Sequence, residues 1–300
     1  MNPGAVGASL WGRRRGEGNL NSMKTTMLMA GLFGLFMVVG QALGGSSGMV
    51  MGFAFALITN MGAYWFSDKI ALMSSGAQVA GAREYPRLHA IVERCARNAG
   101  IPKPSVHIIP TPQPNAFATG RGPGHAAVAV TEGLMQMLDE DEIEGVVAHE
   151  IAHVKNRDIL ISSIAATVAG AITMLQYLAF FGRHDDRDEG ANPLALLLII
   201  IVAPIAAMLI QLAISRSREF GADEGAAKIT GRPMALASAL QKIEYAAERH
   251  PMNVNPAASQ MYIINPMGGD LLKSVAGLFR THPHTSERIA RLQRLSAGVR

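Results

Sequence analysis

The segment Asp139-Glu140-Asp141-Glu142-Ile143-Glu144-Gly145-Val146-Val147-Ala148-His149-Glu150-Ile151-Ala152-His153 joins a helix start to two histidines at helical spacing. Asp139 with Glu142 three residues later is the pattern of an N-terminal capping box, and Ile143, Val146 and Val147 place an apolar stripe behind it. Histidines four apart on a helix lie on one face about a turn from each other, so His149 and His153 can hold a single metal ion. Glu150 projects beside them. A carboxylate there can take a proton from a metal-activated water without itself being a ligand, which is why His-Glu-x-x-His suits zinc hydrolysis. The alternative, two surface histidines on an amphipathic helix, fits poorly, because Ala148, Ile151, Ala152 and Val154 surround them with apolar side chains.

Catalytic zinc keeps three protein ligands and one open position, so a third ligand is needed. The candidate is Glu219, in Arg216-Ser217-Arg218-Glu219-Phe220-Gly221-Ala222-Asp223. A second helix there would set Asp223 one turn after Glu219 on the same side, where its carboxylate can accept the N–H of a ligating imidazole and fix its tautomer. Arg216 and Arg218 leave an ordinary salt-bridging helix as the other reading.

The chain is too apolar for an ordinary soluble domain: of 300 residues, 49% are hydrophobic and 17% charged, with mean hydropathy +0.20. Between Lys24 and Asp68 lie 43 residues without Asp, Glu, Lys or Arg, enough for two spans of about 20 residues around a Gly44-Gly45-Ser46-Ser47-Gly48 turn. Two more charge-free runs, 159–182 and 190–215, predict a second hairpin, with Pro204 tolerable inside a membrane helix. A buried soluble helical pair is the alternative for that second hairpin. Arg13, Arg14, Arg15 and Lys24 precede the first span, Lys69 and Arg83 follow the second, and Arg216 and Arg218 follow the fourth. Positive residues mark the cytoplasmic side, so the metal site is expected to face the cytoplasm from a multi-pass position in the cell's inner membrane, with the lipid bilayer as a partner.

Other readings are excluded on similar grounds. Cys95 is the single cysteine, so no intrachain disulfide can form, and its helical, apolar setting favours a core thiol over a nucleophile. The pI near 9.4 is accounted for by membrane-flanking arginines, and no nucleic-acid partner is expected. No phosphate-cradling Gly-x-x-x-x-Gly-Lys-Ser/Thr loop is present, so no ATP use is expected either.

Residues 85–100 read as a helix ended by Gly100 with Pro102 beyond it. Val106–Ile109, Ala116–Thr119 and Ala126–Val130, punctuated by Pro110, Pro112, Pro114, Gly120, Gly122 and Gly124, predict a small antiparallel sheet. By spacing alone, Asn115 is a turn residue after Pro114. The second hairpin leaves the His149 helix and returns to the Glu219 helix, which brings the two ligand helices together at one membrane face.

Taken together, the hairpin, Asn115-Ala116-Phe117-Ala118-Thr119-Gly120, the His-Glu-x-x-His helix, the second hairpin, the Arg216 to Asp223 stretch and Thr281-His282-Pro283 resemble the HtpX-type integral membrane zinc metalloproteases, relatives of the CAAX prenyl endopeptidases. The likeness runs from Met23 onward. It implies one Zn2+ per chain on His149, His153 and Glu219, Glu150 as base, Asp223 supporting a ligand, and a strand of Asn115, Ala116 and Phe117 pairing with an extended peptide substrate. It also implies cleavage of misfolded or damaged membrane proteins in quality control and stress. Within the enzyme class the alternative is CAAX-type processing; outside it, a non-enzymatic zinc-binding membrane protein. His282 stands where an imidazole could donate to the oxyanion, the other reading being a helix-entry turn set by Pro283 and Thr285 or Ser286.

The expected architecture is a mostly α membrane protein with four transmembrane helices and a cytoplasmic zincin-like α+β domain. Its divisions are an N-terminal extension over 1–22, expected to be disordered, a hairpin over 23–67, the first part of the protease domain over 68–158, a second hairpin over 159–215, and the rest of the domain over 216–300.

Overall fold

The computed structural model describes residues 68–159, 216–249 and 283–298, together with scattered positions between 30 and 66. Of the apolar hairpins, the one expected over 159–215 lies outside the described residues except for Ile159, whereas about half of the one expected over 23–67 is described, with an unbroken helical run over 45–58; among the described residues no helix is long and apolar enough to cross a membrane.

Four strands form one sheet: β1 (Gln78–Val79), β2 (Ser105–Ile109), β3 (Ala116–Gly122) and β4 (His125–Thr131), in the spatial order β1-β2-β4-β3. The sheet is mixed, which corrects the antiparallel expectation. β3 and β4 are an antiparallel hairpin, and β1 runs antiparallel to β2, but β2 and β4 are parallel. Local signals favour hairpins between neighbouring strands. Here residues 110–115 carry three prolines, Pro110, Pro112 and Pro114, which keep the chain extended after β2 rather than letting it turn back. The extended segment steps outward by two strand widths, and β4, whose Ala127, Val128, Ala129 and Val130 are all buried, takes the central position.

Beyond the helical residues over 45–58 and 68–74, the helices after β1 are α1 (Pro86–Ala99), α2 (Glu132–Met137), α3 (Glu140–Asn156), α4 (Arg216–Thr230), α5 (Pro233–Arg249) and α6 (Thr285–Ser296). α1 starts on Pro86 and stops at Gly100, whose φ of 71° is left-handed and suits glycine. The capping box of α3 is formed in full: Glu142 N–H donates to Asp139 Oδ1 at 2.9 Å, and Asp139 N–H to Glu142 Oε2 at 3.0 Å. α2, α5 and β1 were not anticipated.

α3 is the central helix, packed against α1, α4, α5 and the inner face of the sheet. Its Ile143, Val146, Val147 and Ile151 share one core with Leu88, Ile91 and Val92 of α1 and with Val106, Ile108, Val128 and Val130 of the sheet. Being covered nearly all round, α3 buries even residues that an amphipathic pattern assigns to solvent. Glu142 is held by Ser238 Oγ at 2.6 Å and Lys242 Nζ at 2.7 Å, and Glu144 by Arg94 Nε at 2.7 Å and by Arg232. Paired in this way, the two carboxylates avoid the cost of an isolated buried charge.

Glycines set the spacing of the helices. A Cβ on Gly145 would come within 2.8 Å of Leu236 N, and one on Gly225 within 2.6 Å of Ala152 Cβ, between the two histidines of α3. Gly225→Ala should therefore destabilise the fold by about 1–3 kcal/mol of overpacking, less the ~1 kcal/mol that alanine gains in a helix. Gly221→Ala, one turn earlier and with nothing within 4 Å, should be neutral or stabilising. Thermal melts of the two variants check this; equal melting temperatures would show that the α3–α4 crossing is not tight.

Candidate metal centre

His149 and His153 lie on α3 and Glu219 on the first turn of α4, and the close α3–α4 crossing brings them together. One ligand atom from each lies within 4.8 Å of the others. The separations are 3.2 Å between the two Nε2 atoms, 3.4 Å from His153 Nε2 to Glu219 Oε1, and 3.6 Å from His149 Nε2 to Glu219 Oε2. Bonds of about 2.0–2.1 Å at a tetrahedral ion separate neighbouring donor atoms by about 3.3 Å. The three side chains thus converge at about the spacing that such an ion needs, with Glu219 turning a different oxygen toward each imidazole, and two imidazoles with one carboxylate are a donor set for a divalent metal.

Each imidazole is oriented by its own carboxylate. His149 Nδ1 is 3.0 Å from Asp223 Oδ1, and His153 Nδ1 is 3.0 Å from Asp158 Oδ2. An Nδ1–H donated in this way leaves Nε2 with its lone pair facing the metal position. Asp158 comes into reach because α3 ends at Arg157, whose φ of 61° is left-handed and turns the chain back toward His153. For both histidines burial opposes the charged form, with Arg288 adding to it at His149, yet the carboxylate partners win and proton affinity is raised, well above the ordinary range for His153.

Arg288 of α6 also enters the site. Its Nε and Nη2 donate to the two oxygens of Asp223 at 2.9 and 2.7 Å, and Nη2 lies 3.4 Å from both ring nitrogens of His149. With Arg288 alongside, Asp223 stays below the usual carboxylate range, at about 2, although burial pushes it the other way. Among the described residues four buried carboxylates, Glu150, Asp158, Glu219 and Asp223, meet two guanidiniums, the buried Arg288 and the partly buried Arg218. With both imidazoles neutral, as metal ligation requires, and the carboxylates ionised, these groups carry an excess of two negative charges, which one divalent cation balances.

Glu150 projects from α3 toward the sheet, where Oε2 accepts the N–H of Ala118 at 2.9 Å. That amide therefore points away from β4, out of the edge of β3 that no described strand pairs. Burial raises the proton affinity of Glu150 above the ordinary carboxylate range, against the pull of His149 and His153. Of the residues expected to touch substrate, Asn115 is buried and tied through its backbone to Thr131, with N–H to Oγ1 at 2.8 Å, while Ala116 packs into the main core. Phe117 packs on the far face of the sheet with Ala71, Ile109 and Ala129. The strand residue beside Glu150 is Ala118. His282 lies outside the described residues. Cys95 is buried, with burial pushing its thiol up to about 12, so it is inert.

The arrangement is matched by known proteins. The profile of peptidase family M48 covers residues 82–296, from before α1 to the end of α6. The chain belongs to peptidase family M48. It is 54% identical over 280 residues to the protease HtpX homolog of Pyrococcus furiosus, covering 91% of this chain and 96% of that one. With the protease HtpX homolog of Gemmatimonas aurantiaca the identity is 48% over 279 residues, covering 93% and 100%. The crystal structure of S. mikatae Ste24p superposes with a TM-score of 0.49 at 20% identity, over 91% of this chain and 66% of that one. The chain is a metalloprotease, and its metal-binding candidates are the three side chains that the fold assembles.

Sequence reasoning missed Asp158 and Arg288. Asp158, five residues after His153 and beyond the helix end, carries no periodic signal. Asp158→Asn should weaken metal binding by roughly ten- to a hundredfold, the usual cost of losing a carboxylate behind a ligating imidazole. Chelator competition measures it, and parent-like affinity would make Asp158 a helix-end residue only.

Proposed function

We propose that the chain is a zinc endopeptidase of the membrane that cleaves extended segments of misfolded or damaged membrane proteins on the cytoplasmic side. The observation that carries the chemistry is Glu150, turned from the helix of His149 and His153 onto the edge of β3 that no described strand pairs. A zinc ion on His149, His153 and Glu219 would supply an acidified water and a polarised scissile carbonyl. Glu150 accepts the proton of the attacking water and returns it to the departing amine nitrogen, a task suited to a carboxylate whose proton affinity is raised by burial. The edge of β3 offers backbone groups to an extended peptide laid beside it, which grips main chain with little regard to sequence. His282, six residues before the Arg288 that reaches His149, is proposed as a donor to the oxyanion.

The membrane reading is supported by the charge-free runs and by where apolar side chains are exposed. Most of the exposed large hydrophobics, among them Val50, Met51, Phe53, Ile58, Trp65 and Met73, fall between 50 and 73. Such a concentration suits lipid rather than water. Family membership sets aside the non-enzymatic alternative.

Glu150→Gln should keep bound zinc and lose about 10²–10⁴-fold of the cleavage of an unfolded membrane-protein reporter in proteoliposomes. Glu219→Gln should lose zinc as well as activity. Full cleavage by Glu150→Gln would remove the base from the mechanism, and parent-like zinc in Glu219→Gln would require another third ligand.

A further inference from the structure

We infer that Arg288 is a positioning residue of the metal centre: it grips both oxygens of Asp223, locks the orientation of His149 through that carboxylate, and so makes metal affinity depend on the C-terminal helix. The reading rests on the metal centre proposed above and adds a part to it.

Arg288 stands in a position that the sequence pattern reserves for an apolar residue. On α6 it shares one stripe with Leu292 and Leu295, and it is 1% exposed, with Leu292 at 0%. Burying a guanidinium costs several kcal/mol of desolvation unless it is well paired, and an apolar side chain of similar size would commonly hold the helix at least as well. Its partners indicate what the charge is for. Asp223 Oδ1 is shared between His149 Nδ1 at 3.0 Å and Arg288 Nη2 at 2.7 Å, while Oδ2 takes Arg288 Nε at 2.9 Å. A carboxylate held by a planar fork on one side and an imidazole on the other has no freedom to rotate, so the plane of His149 is fixed from behind. Arg288 makes no comparable in-line contact with the ligands themselves. Nη1 is 3.8 Å from Glu219 Oε2, and Nη2 is 3.4 Å from both nitrogens of the His149 ring, against 2.7 Å from Asp223 Oδ1.

This arrangement gives a sign that separates positioning from charge. A guanidinium next to a divalent cation repels it, so Arg288 strengthens metal binding only through Asp223. With Asp223 intact, removing the guanidinium should weaken binding. With Asp223 replaced by Asn, the same removal should leave binding unchanged or make it tighter.

The test uses the purified full chain in detergent, with zinc affinity from chelator competition and the visible spectrum of the cobalt-substituted protein as a direct report on the ligands. Arg288→Met should bind zinc roughly ten- to a hundredfold more weakly than the parent and shift the cobalt spectrum. Arg288→Lys, which keeps the charge but not the fork, should also fall short of the parent. Asp223→Asn should lose a similar factor, and Asp223→Asn with Arg288→Met should bind no more weakly than Asp223→Asn alone. Parent-like affinity in Arg288→Met would overturn the inference, even if turnover fell, because the residue would then act on substrate. Full rescue by lysine, or losses that multiply in the double variant, would overturn it too. Should Arg288→Met fail to fold by thermal melting, the lysine and double variants decide, the latter having no buried charge left unpaired. A parent chain that binds no zinc would sink both this inference and the metal centre on which it rests, whereas a zinc-binding parent with indifferent variants would sink this one alone.

Discussion

Four carboxylates share a pocket from which water is largely excluded, and the surrounding helices are arranged to make that tolerable. An isolated buried carboxylate is costly enough that it would take up a proton instead. Here each has a partner from another element: Asp223 is met by Arg288 of α6, Asp158 and Glu219 by the histidines of α3, and Glu150 by the amide of Ala118. Among the described residues, and with both imidazoles neutral, the carboxylates of the site outnumber its guanidiniums, which suits a divalent cation. The same pairing gives every ligand a fixed direction. Stability and function thus draw on one set of contacts, and loss of any one partner should be felt in both.

The second requirement is distance. Two helices at ordinary spacing are 8–10 Å apart between axes, and a short carboxylate on one must reach imidazoles on the other. Gly225 against Ala152 removes the side chains that would hold α4 away, just where Glu219 and Asp223 face His149 and His153. Gly145 against Leu236 does the same for α5 at the opposite end of α3. The ionic pairs of Glu142 and Glu144 then pin that end to α1, α5 and Arg232, so the metal-binding half of α3 is held by a helix that cannot slide.

The sheet contributes an edge rather than ligands. Because the proline-rich segment after β2 carries the chain past the position that β4 fills, β3 is left outermost among the described strands, with Ala118 turned toward Glu150. Had the sheet been a simple meander, β3 would lie in the middle with both sides paired. A mixed topology is what leaves a strand edge next to Glu150.

The candidate ligands and the proposed base could be picked out of the sequence because their spacing is a helical property: His149, Glu150 and His153 are related by one turn, and Asp223 follows Glu219 by another. The capping box, the Gly100 stop and the strand segments were legible for the same reason, since each depends on residues a few positions apart. Arg288 and Asp158 were not. An arginine in an amphipathic basic helix and an aspartate past a helix end look like surface residues until the chain is folded, and only packing turns them inward onto Asp223 and His153. The order of the strands escaped for a related cause: hairpins are encoded by their turns, but which strand takes the centre is decided by competition for burial. Sequence by itself picked out the candidate groups of the site, because each cluster, His149 to His153 and Glu219 to Asp223, is local in the chain. Tertiary structure alone decided how they are held, because Arg288 of α6 lies 65 residues from Asp223 and 139 from His149 and meets them only through the shared core.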